Sequence, residues 1–446
     1  MRDKKSFILD TSTLLYNASS IRAFGSKNVV IPYPVLEELD RFKDREGEIG
    51  KNARQVVREL NELRKIGSLS EGVEVTPKGG VLTVILIDSH GPRSPSLDLS
   101  VADDRILNIC LRVKEELPAQ EIVLVTKDIN LAVKAEALGL EAQDFTSDRL
   151  IESADDLYKG CISLKCDSEL IDSLYEGEVL FTGDLAEELG EKVKLYPNQY
   201  ITLSSEQEPG KSILLRAGTT HEPVKVLKTA RPSWGVSPRN REQHFAFDAL
   251  MDPDIPLVTL VGLAGSGKSL MALACALEQV EDLGIYDKLV VSRPVQPMGK
   301  DIGYLPGTVQ EKLDPWMGPV KDAINFLTRN RKPGEDAYEH MIETGMLEVE
   351  ALTYIRGRSI PNTLFLLDEA QDLTRAEIKT IISRMGENSK LIITGDVMQI
   401  SNSYLDATNT GLANVVEKFK SHKVSAHVTL QKGERSPLAT IASEIL

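Results

Sequence analysis

The sequence feature that most constrains the fold is a glycine-rich segment, G-L-A-G-S-G-K-S, from Gly262 to Ser269. It fits the phosphate-binding loop pattern of Gly, four residues, Gly, Lys and Ser or Thr. A run of apolar and β-branched residues at 257–261 precedes the loop, and apolar residues at helical spacing follow it over 270–280. Because both flanks, the lysine and the serine agree, the segment predicts an α/β nucleotide-binding domain rather than a plain glycine-rich turn.

Each part of this loop has a predicted task in binding ATP and Mg²⁺. We expect the backbone N–H groups to surround a phosphate, with the positive end of the helix dipole adding to the attraction. Lys268 is expected to reach the terminal phosphates, and the Ser269 hydroxyl is expected to take a Mg²⁺ position. The predicted nucleotide-binding residues of the loop are Gly262, Leu263, Ala264, Gly265, Ser266, Gly267, Lys268 and Ser269.

A second predicted strand supplies acids to the same site. The buried-strand pattern at 363–367 ends on Asp368 and Glu369. Asp368 is predicted to help the loop serine hold Mg²⁺, and Glu369 is predicted to orient the water that attacks the γ-phosphate. A further strand pattern, at 390–396, is followed by Gln399, a candidate sensor of the γ-phosphate. Both strands resemble the matching strands of superfamily 1 ATPases, which implies ATP hydrolysis.

The first 150 residues place acids at the ends of predicted strands and helices. These acids are Asp10, Glu38, Asp103 or Asp104, and Asp128. Any single one is more often a helix cap or a surface charge than a metal ligand. Together they predict a cluster of carboxylates that repel one another. Bound Mg²⁺ or Mn²⁺ is the usual relief for such repulsion, because these hard ions prefer oxygen ligands.

Four motifs in this region resemble those of the PIN-domain nucleases over about residues 5–147: F-I-L-D-T-S, V-L-E-E-L, A-D-D-R-I-L and T-K-D-I-N-L. The resemblance implies that the matching acids hold one or two divalent ions, which activate water to cut a phosphodiester, mostly in single-stranded RNA. Carried over by position, it implies that Asp10, Glu38, Asp103 and Asp128 are both the catalytic and the metal-binding residues.

Two of these assignments have a neighbouring alternative. Glu37 precedes Glu38, and Asp104 follows Asp103 as a second candidate metal ligand. We favour Glu38 because it directly precedes a leucine, as in the family pattern. We favour Asp103 because its spacing to Ile106 allows one helical turn, although both aspartates stand near Ile106.

Residues 151–238 differ in character from the regions on either side. Short strand patterns are separated there by Gly, Pro and Asn turns, at 178–181, 200–203, 212–215 and 224–227. This spacing predicts a small β-rich module, an antiparallel barrel or sandwich. Such a module serves either as a nucleic-acid platform or as a spacer.

Charge is distributed unevenly along the chain. The net charge of −15 discourages nucleic acid as a partner if it is spread evenly. Segment 211–241, however, has seven basic residues and one acid, Glu222. This basic strip is compatible with contact to a phosphate backbone, and a solvated linker is the alternative interpretation.

Segments around and after the loop closely match the PhoH family of P-loop ATPases, over about residues 235–446. The matching motifs are S-R-P-V at 292–295, G-Y-L-P-G at 303–307 and G-E-R-S at 433–436. With the PIN-like region in front, the whole chain resembles the two-domain PIN–PhoH proteins. Gln243, ahead of the loop, resembles the adenine-reading glutamine of superfamily 1 helicases, and a surface glutamine is the alternative.

The length of chain after Gln399 bears on assembly. Helicases of the superfamily resembled close two RecA-like lobes on one ATP, but only 47 residues follow Gln399, too few for a second lobe. Arg435 follows the last predicted strand, 424–430, at the carboxyl edge where such sheets bind nucleotides. We expect Arg435 to act on the ATP of a neighbouring subunit in a closed homo-oligomeric ring, which the PhoH resemblance also implies. A salt-bridging surface arginine is the alternative.

Composition narrows the class of protein further. The sequence has no secretory leader pattern and no apolar stretch near the roughly 18 residues of a membrane span. Its four cysteines are too few for a disulfide framework and lack a zinc-site pattern. We expect a cytoplasmic protein with reduced thiols and no membrane partner.

These observations predict an α/β chain in three parts. They are a PIN-like nuclease domain at 1–150, a β-rich module and linker at 151–238, and a RecA-like P-loop ATPase domain with a parallel sheet at 239–446. The predicted function is an ATP-dependent RNA-processing enzyme that couples ATP hydrolysis, through unwinding or translocation, to metal-dependent cleavage of single-stranded or partly structured RNA. The alternative is a nucleotide-controlled RNA-binding regulator with weak or no nuclease activity. A small-molecule kinase is disfavoured, because the acid pair at 368–369 is typical of hydrolases and no arginine-rich lid is evident.

Overall fold

The computed structural model describes residues 5–45, 47–76, 79–86, 93–145, 153–188, 193–294, 309–329, 337–355, 358–401 and 407–433. The described residues form three sheets with helices, which confirms the predicted α/β class. The chain divides into two compact units, Met1–Arg149 and Leu150–Leu446. The boundaries of the three-part division remain a prediction, and the middle module lies in the same compact unit as the phosphate-binding loop.

The N-terminal unit is built on a six-stranded sheet. Its strands are β1 Lys5–Leu9, β2 Asn28–Pro32, β3 Val73–Glu74, β4 Val81–Ile85, β5 Glu121–Val125 and β6 Glu141–Gln143. Its helices are α1 Thr11–Tyr16, α2 Tyr33–Phe42, α3 Gly47–Ile66, α4 Ala102–Glu116 and α5 Ile129–Ala137, with a 3-10 helix at Ala18–Arg22. The strand order is β3-β4-β2-β1-β5-β6, and neighbouring strands are parallel except for β3 and β4.

The centre of this sheet brings two predicted site segments to one edge. β1 and β5 run in parallel with Leu9 opposite Val125, so the residues after each strand leave the sheet on the same side. The N–H of Asp10 donates to the carbonyl oxygen of Val125 at 3.0 Å. Both strands are buried after their first residue, as apolar runs in a parallel sheet require.

Helix α3 shows how far apolar spacing predicts burial. On α3, Val56, Leu60 and Leu63 are buried in the core. The sequence over 52–66 predicts that Val57 belongs to the same apolar stripe, but Val57 is 39% exposed. That part of the prediction is wrong because each residue turns by about 100° around the helix, which carries Val57 away from the stripe.

The C-terminal unit contains the middle module and the loop-bearing sheet. Its strands are β7 Cys161–Cys166, β8 Tyr200–Ser205, β9 Ser212–Arg216, β10 Lys225–Val226, β11 Leu257–Gly262, β12 Lys288–Ser292, β13 Leu347–Val349, β14 Thr363–Leu367, β15 Lys390–Gly395 and β16 Ser425–Leu430. Its helices are α6 Ser168–Glu176, α7 Thr182–Glu188, α8 Arg241–Met251, α9 Lys268–Leu277, α10 Val309–Thr328, α11 Ala337–Glu343, α12 Arg375–Ile382 and α13 Gly411–Phe419. Short 3-10 helices lie at Ala154–Asp156, Leu352–Ile355 and Ala370–Asp372, and a π-helical turn at Glu278–Asp282 extends α9.

The middle module differs from its prediction. It is a single mixed sheet in the order β10-β9-β8-β7, with β7 and β8 parallel and the other pairs antiparallel, so the predicted antiparallel barrel or sandwich is wrong. The strand predicted at 178–181 is reduced to an isolated bridge at Phe181. Val179 and Phe181 are 67% and 43% exposed, whereas Leu180 between them is partly buried against the core of the module. Strand β7, which lies in a stretch of mixed polar sequence without a clear strand pattern, forms one edge of the sheet instead.

The loop-bearing sheet has six strands, all parallel, in the order β13-β12-β14-β15-β11-β16. Strands β11, β14 and β15 are buried along their whole length, as expected for a parallel sheet covered on both faces. Strand β15 lies between β11 and β14. Because parallel strands end at one edge, the segments after these three strands meet there.

The middle module is fixed to helix α8, which precedes the loop-bearing sheet. Tyr200 of β8 stacks on Phe245 of α8, with 4.8 Å between ring centroids. Arg216 of β9 forms salt bridges of 2.8 Å with Asp248 and 2.6 Å with Asp252 at the carboxyl end of α8. The module therefore shares both apolar and charged contacts with the loop-bearing part of its unit.

Candidate active sites

Asp10 is anchored by hydrogen bonds from the segments that follow both central strands. It caps helix α1 directly after β1 and is only 4% exposed. The N–H of Thr11 donates to its Oδ1 at 2.6 Å, and the hydroxyls of Ser12 and Thr126 donate to its Oδ2 at 2.5 and 2.8 Å. Since Thr126 follows β5, these bonds tie the ends of the two central strands together and fix the direction of the carboxylate.

Glu38, rather than Glu37, faces Asp10. The hydroxyl of Thr11 donates to Glu38 Oε2 at 2.5 Å. Burial raises the pKa of Glu38, and the charges of Asp10 and Asp103 raise it further. Glu37 instead forms a 2.8 Å salt bridge with Arg105.

Asp103 and Asp104 have opposite surroundings. Burial raises the pKa of Asp103, and the charges of Asp10 and Asp128 add to that effect. The pKa of Asp104 is lowered, chiefly by its hydrogen bond with Lys134, which forms a 2.6 Å salt bridge with it. Asp103 is therefore influenced by the charges of the other predicted site acids, whereas Asp104 has a lysine partner of its own.

Asp128 completes the group as the cap of helix α5. It accepts hydrogen bonds from the N–H groups of Asn130 and Leu131 at 2.8 and 3.3 Å. The donor set of these acids is chemically that of Mg²⁺ or Mn²⁺, because it consists of carboxylate oxygens that repel one another. Within the described residues, however, no three His, Cys, Asp or Glu side chains are already arranged around a common metal position.

The phosphate-binding loop has the backbone that its glycines predict. Gly265 and Gly267 have φ angles of 80° and 88°, in the left-handed region that glycine adopts without strain. Lys268 donates from Nζ to the carbonyl oxygens of Gly262 and Leu263 at 2.7 and 3.0 Å. The hydroxyl of Ser266 is buried and has no hydrogen-bond partner among the described residues. The loop thus combines a cation with an unsatisfied buried hydroxyl, which suits a phosphate ligand.

Asp368 joins the loop to the neighbouring strands. The Ser269 hydroxyl donates to Asp368 Oδ1 at 2.7 Å, and the Thr394 hydroxyl donates to the same atom at 2.5 Å. Nε of Arg293 lies 3.4 Å from Asp368 Oδ2. A serine hydroxyl and a carboxylate in contact at the start of a helix form the oxygen pair that Mg²⁺ prefers, so the residues fit the predicted metal.

Glu369 has an unusual backbone and two side-chain contacts. Its φ of 58° places a non-glycine residue in the left-handed region, a conformation that concentrates at functional sites. Nε2 of Gln371 donates to its Oε2 at 2.7 Å, and Nη2 of Arg293 lies 3.4 Å from its Oε1. The carboxylate is 42% exposed, so it is both held and accessible.

Gln371 and Asp396 link this acid back to the loop. The N–H of Ala264 donates to Asp396 Oδ2 at 2.9 Å, and the N–H of Asp396 donates to Gln371 Oε1 at 3.0 Å. Nε2 of Gln371 also reaches the carbonyl oxygen of Gln399 at 3.2 Å. The side chain of Gln399 is exposed at the same edge of the sheet. Its predicted role as a γ-phosphate sensor stays a prediction.

Gln243 is not the surface residue of the alternative interpretation, being only 5% exposed. Its Nε2 donates to the carbonyl oxygen of Ser266 at 3.1 Å, and its Oε1 accepts from the N–H of Arg239 at 2.8 Å. These bonds give it the role of bracing the loop against α8. Its predicted role in reading adenine stays a prediction, since both ends of the amide contact the protein backbone.

Sequence reasoning gave no individual role to four residues at this site: Arg293, Gln371, Thr394 and Asp396. Arg293 stands in the S-R-P-V motif, and Thr394 and Asp396 stand in the strand pattern at 390–396. Their position at the end of a parallel strand beside the loop was a usable signal. Arg435 lies outside the described residues, as do the motifs at 303–307 and 434–436.

The basic strip is partly used in internal ion pairs. Lys211 pairs with acids of the module, and Arg216 and Lys225 pair with acids of α8. Lys228, Arg231 and Arg241 are exposed. Fewer positive charges are therefore available to a phosphate backbone than the sequence indicates.

Comparison with known proteins assigns a family to these two sites. A model described as "PIN domain" matches residues 7–146, and one described as "PhoH-like protein" matches residues 235–445. A protein of Bacillus subtilis named "Protein PhoH2" shares 43% sequence identity with this chain. The matched region spans 99% of this chain and 100% of the Bacillus subtilis protein. The chain belongs to the PhoH2 family. Two further relatives with that name, from Thermobispora bispora and Mycolicibacterium smegmatis, are each 35% identical over 99% of this chain and 96% and 97% of their own lengths.

Membership of the PhoH2 family confirms the PIN–PhoH resemblance seen in the sequence. It assigns a nuclease-type PIN domain to the N-terminal acids and a P-loop nucleotide-binding domain to the loop-bearing sheet. No helix in the described part of the chain is long and apolar enough to cross a membrane.

Proposed function

We propose that this chain is a cytoplasmic, ATP-dependent RNA-processing enzyme. Its C-terminal unit hydrolyses ATP to move or unwind RNA, and its N-terminal unit cuts single-stranded or partly structured RNA with divalent metal ions. The observation that supports the proposal most strongly is the 2.7 Å contact of the Ser269 hydroxyl with Asp368, directly beside Glu369. It joins the phosphate-binding loop to the two acids that hydrolysis requires.

In the proposed ATP site, each side chain acts on a different part of the reaction. Lys268 neutralises charge on the terminal phosphates, Ser269 and Asp368 would hold Mg²⁺, and Glu369 orients the attacking water. The metal ion, when bound, offsets the charge that develops on the phosphates. Gln399 contacts the γ-phosphate, and the loop N–H groups surround the β-phosphate.

In the proposed nuclease site, Asp10, Glu38, Asp103 and Asp128 would hold one or two Mg²⁺ or Mn²⁺ ions. The raised pKa values of Glu38 and Asp103 support this, because part of each shift comes from like charges nearby. A bound ion relieves that repulsion and supplies an activated water. Asp10, held by four hydrogen-bond donors, fixes the position of the group.

We also propose that the protein works as a closed homo-oligomeric ring. In the sequence, Arg435 follows strand β16, and β16 pairs in parallel with β11, the strand that leads into the phosphate-binding loop. Arg435 of one subunit then acts on the ATP bound by its neighbour, and an arginine supplied in this way is worth on the order of 10³ to 10⁵ in rate.

The ATP half of the proposal is tested by two variants and a control. Lys268→Ala is expected to lower ATP hydrolysis by orders of magnitude, and Glu369→Gln is expected to bind ATP without turning it over. Lys288→Gln, which removes an ion pair at the opposite end of strand β12, is the control and should hydrolyse ATP normally. Wild-type hydrolysis by folded Lys268→Ala protein would exclude this site.

A second candidate function is a nucleotide-controlled RNA-binding regulator with weak or no nuclease activity. The observation that favours it is that no three of the described acids are arranged around a common metal position. Cleavage of RNA in the presence of Mg²⁺ separates the two functions.

A further inference from the structure

Arg293 forms ion-pair contacts with both acids of the nucleotide site. It follows strand β12, which pairs with the acid-bearing strand β14. Its Nε lies 3.4 Å from Asp368 Oδ2, and its Nη2 lies 3.4 Å from Glu369 Oε1. The side chain is only 17% exposed, so water screens these contacts weakly.

On each carboxylate, Arg293 contacts the oxygen that does not accept the shorter hydrogen bonds. Oδ1 of Asp368 accepts from the hydroxyls of Ser269 and Thr394. Oε2 of Glu369 accepts from Gln371 at 2.7 Å. To orient a water, Glu369 needs one carboxylate oxygen free to accept a hydrogen bond. Its 3.4 Å contact with Arg293 is longer and weaker than its 2.7 Å hydrogen bond with Gln371, so Oε1 is the oxygen that is more easily freed.

We propose that Arg293 is a positioning residue that restrains Glu369 until a divalent cation is bound at Asp368. This inference rests on the proposed ATP site. A guanidinium and a divalent cation repel each other, so Arg293 leaves Asp368 when the cation binds there. Because one guanidinium bridges both acids, its departure also frees Oε1 of Glu369. Arg293 thereby makes the release of the hydrolytic acid conditional on the metal.

When Arg293 leaves, the side chain of Glu369 becomes free to move while its backbone stays in place. The backbone of Glu369 is fixed by the 3-10 helix that follows it. Gln371 stays attached to Asp396, because its Oε1 accepts a hydrogen bond from the N–H of Asp396 at 3.0 Å. Gln371 therefore keeps Glu369 at the sheet edge while Arg293 departs.

The competition predicts a change in metal dependence. In the full-length Arg293→Gln protein, binding of a fluorescent, non-hydrolysable ATP analogue should reach half-saturation at roughly tenfold lower Mg²⁺, since a nearby charge alters the affinity of a carboxylate for a cation by about this factor or more. ATP hydrolysis at low Mg²⁺ should rise, so the change lies in the Mg²⁺ midpoint rather than in the maximal rate. Arg293→Lys keeps the charge but reaches only one acid, and should give an intermediate midpoint.

The control is Lys288→Gln at the other end of β12, where Lys288 pairs with Glu348 at 2.6 Å. It should titrate like the wild type. A Mg²⁺ midpoint in Arg293→Gln protein that is unchanged or higher would overturn the proposal, as would a collapse of the maximal rate at an unchanged midpoint. If Arg293→Gln does not fold, a wild-type midpoint in Arg293→Lys overturns it. A wild-type protein that binds no analogue at any Mg²⁺ concentration refutes the ATP site itself, which is a different result.

Discussion

Arg216 carries the charged contact between the middle module and helix α8, and replacing it tests how firmly the two are joined. Its guanidinium lies 2.8 Å from Asp248 and 2.6 Å from Asp252, and all three side chains are at most 16% exposed. Burial alone raises the pKa of Asp252, but the hydrogen bond and charge of Arg216 outweigh burial and lower it. Arg216 therefore favours the charged form of Asp252.

Arg216→Met leaves two largely buried acids without their guanidinium partner. Lys225 lies 3.2 Å from Asp248, and Lys390 donates from Nζ to the carbonyl oxygen of Asp252 at 2.7 Å. Breaking a buried ion pair on one side costs about 3 to 5 kcal/mol, and these two lysines argue for the lower end, about 3 kcal/mol. For a unit of this size, that loss lowers the melting temperature by roughly 6 to 12 °C.

The matched control is Lys211→Met. Lys211 also forms two ion pairs in the module, but its acidic partners, Asp172 and Glu208, are 57% and 59% exposed. Such pairs contribute about 0 to 1 kcal/mol, so this variant should melt within roughly 3 °C of the wild type.

Differential scanning calorimetry near neutral pH measures both variants. Because the pKa of Asp252 is lowered in the folded state, its contribution is present above the ordinary value of 3.8 and is lost as pH falls through the folded pKa. The gap between wild type and Arg216→Met should therefore be widest near neutral pH and narrow in acid. An Arg216→Met protein that melts with the Lys211→Met control at neutral pH would refute the reasoning.

The remaining predictions concern both sites and the core. Asp103→Asn should abolish metal-dependent RNA cleavage at an almost unchanged melting temperature. Asp104→Asn should still cut RNA but melt at a lower temperature, because the salt bridge with Lys134 is lost. The reverse pattern would exchange the roles of the two aspartates. Burial lowers the pKa of Lys390 to about 7, so its protonation opposes folding, and the free energy of unfolding should rise between that pH and 10.5. Urea unfolding of Lys390→Met should not show this rise. A free energy of unfolding that depends on pH in the variant as it does in the wild type would contradict the prediction. Arg435→Ala and Lys268→Ala subunits, each inactive alone, should regain part of their ATP hydrolysis when co-assembled. Mixtures that stay inactive, or a fully active monomer by light scattering, would exclude the ring.

Elements with a strong one-dimensional signal were predictable. The apolar runs that became β1, β5, β11, β14 and β15 are buried in parallel sheets, and such strands read as continuous hydrophobic segments. Acids that directly follow these strands were found for the same reason. The residue that follows a parallel strand lies at the carboxyl edge of the sheet, where ligands bind.

Contacts between distant segments were not predictable. Arg293 and Glu369 are far apart in the sequence and meet only because β12 and β14 pair. The choice between Asp103 and Asp104 also needed the structure, since it depends on the lysine that pairs with one of them. In the module, segment 178–181 is more apolar than β7, yet β7 pairs with β8 along its whole length while 178–181 forms only an isolated bridge. This difference depends on tertiary packing, which the local sequence does not show.

The central claim is that one chain carries a metal-dependent RNA-cutting site and a separate ATP-hydrolysing site. The most direct measurement is cleavage of a short, unstructured, end-labelled RNA with Mg²⁺, with and without ATP, by wild-type, Asp10→Asn and Lys268→Ala proteins. The account predicts that the wild type and Lys268→Ala cut this RNA, that removing Mg²⁺ stops cleavage, and that folded Asp10→Asn protein does not cut. Cleavage by Asp10→Asn at the wild-type rate, or no cleavage by the wild type at any Mg²⁺ or ATP concentration, would contradict it.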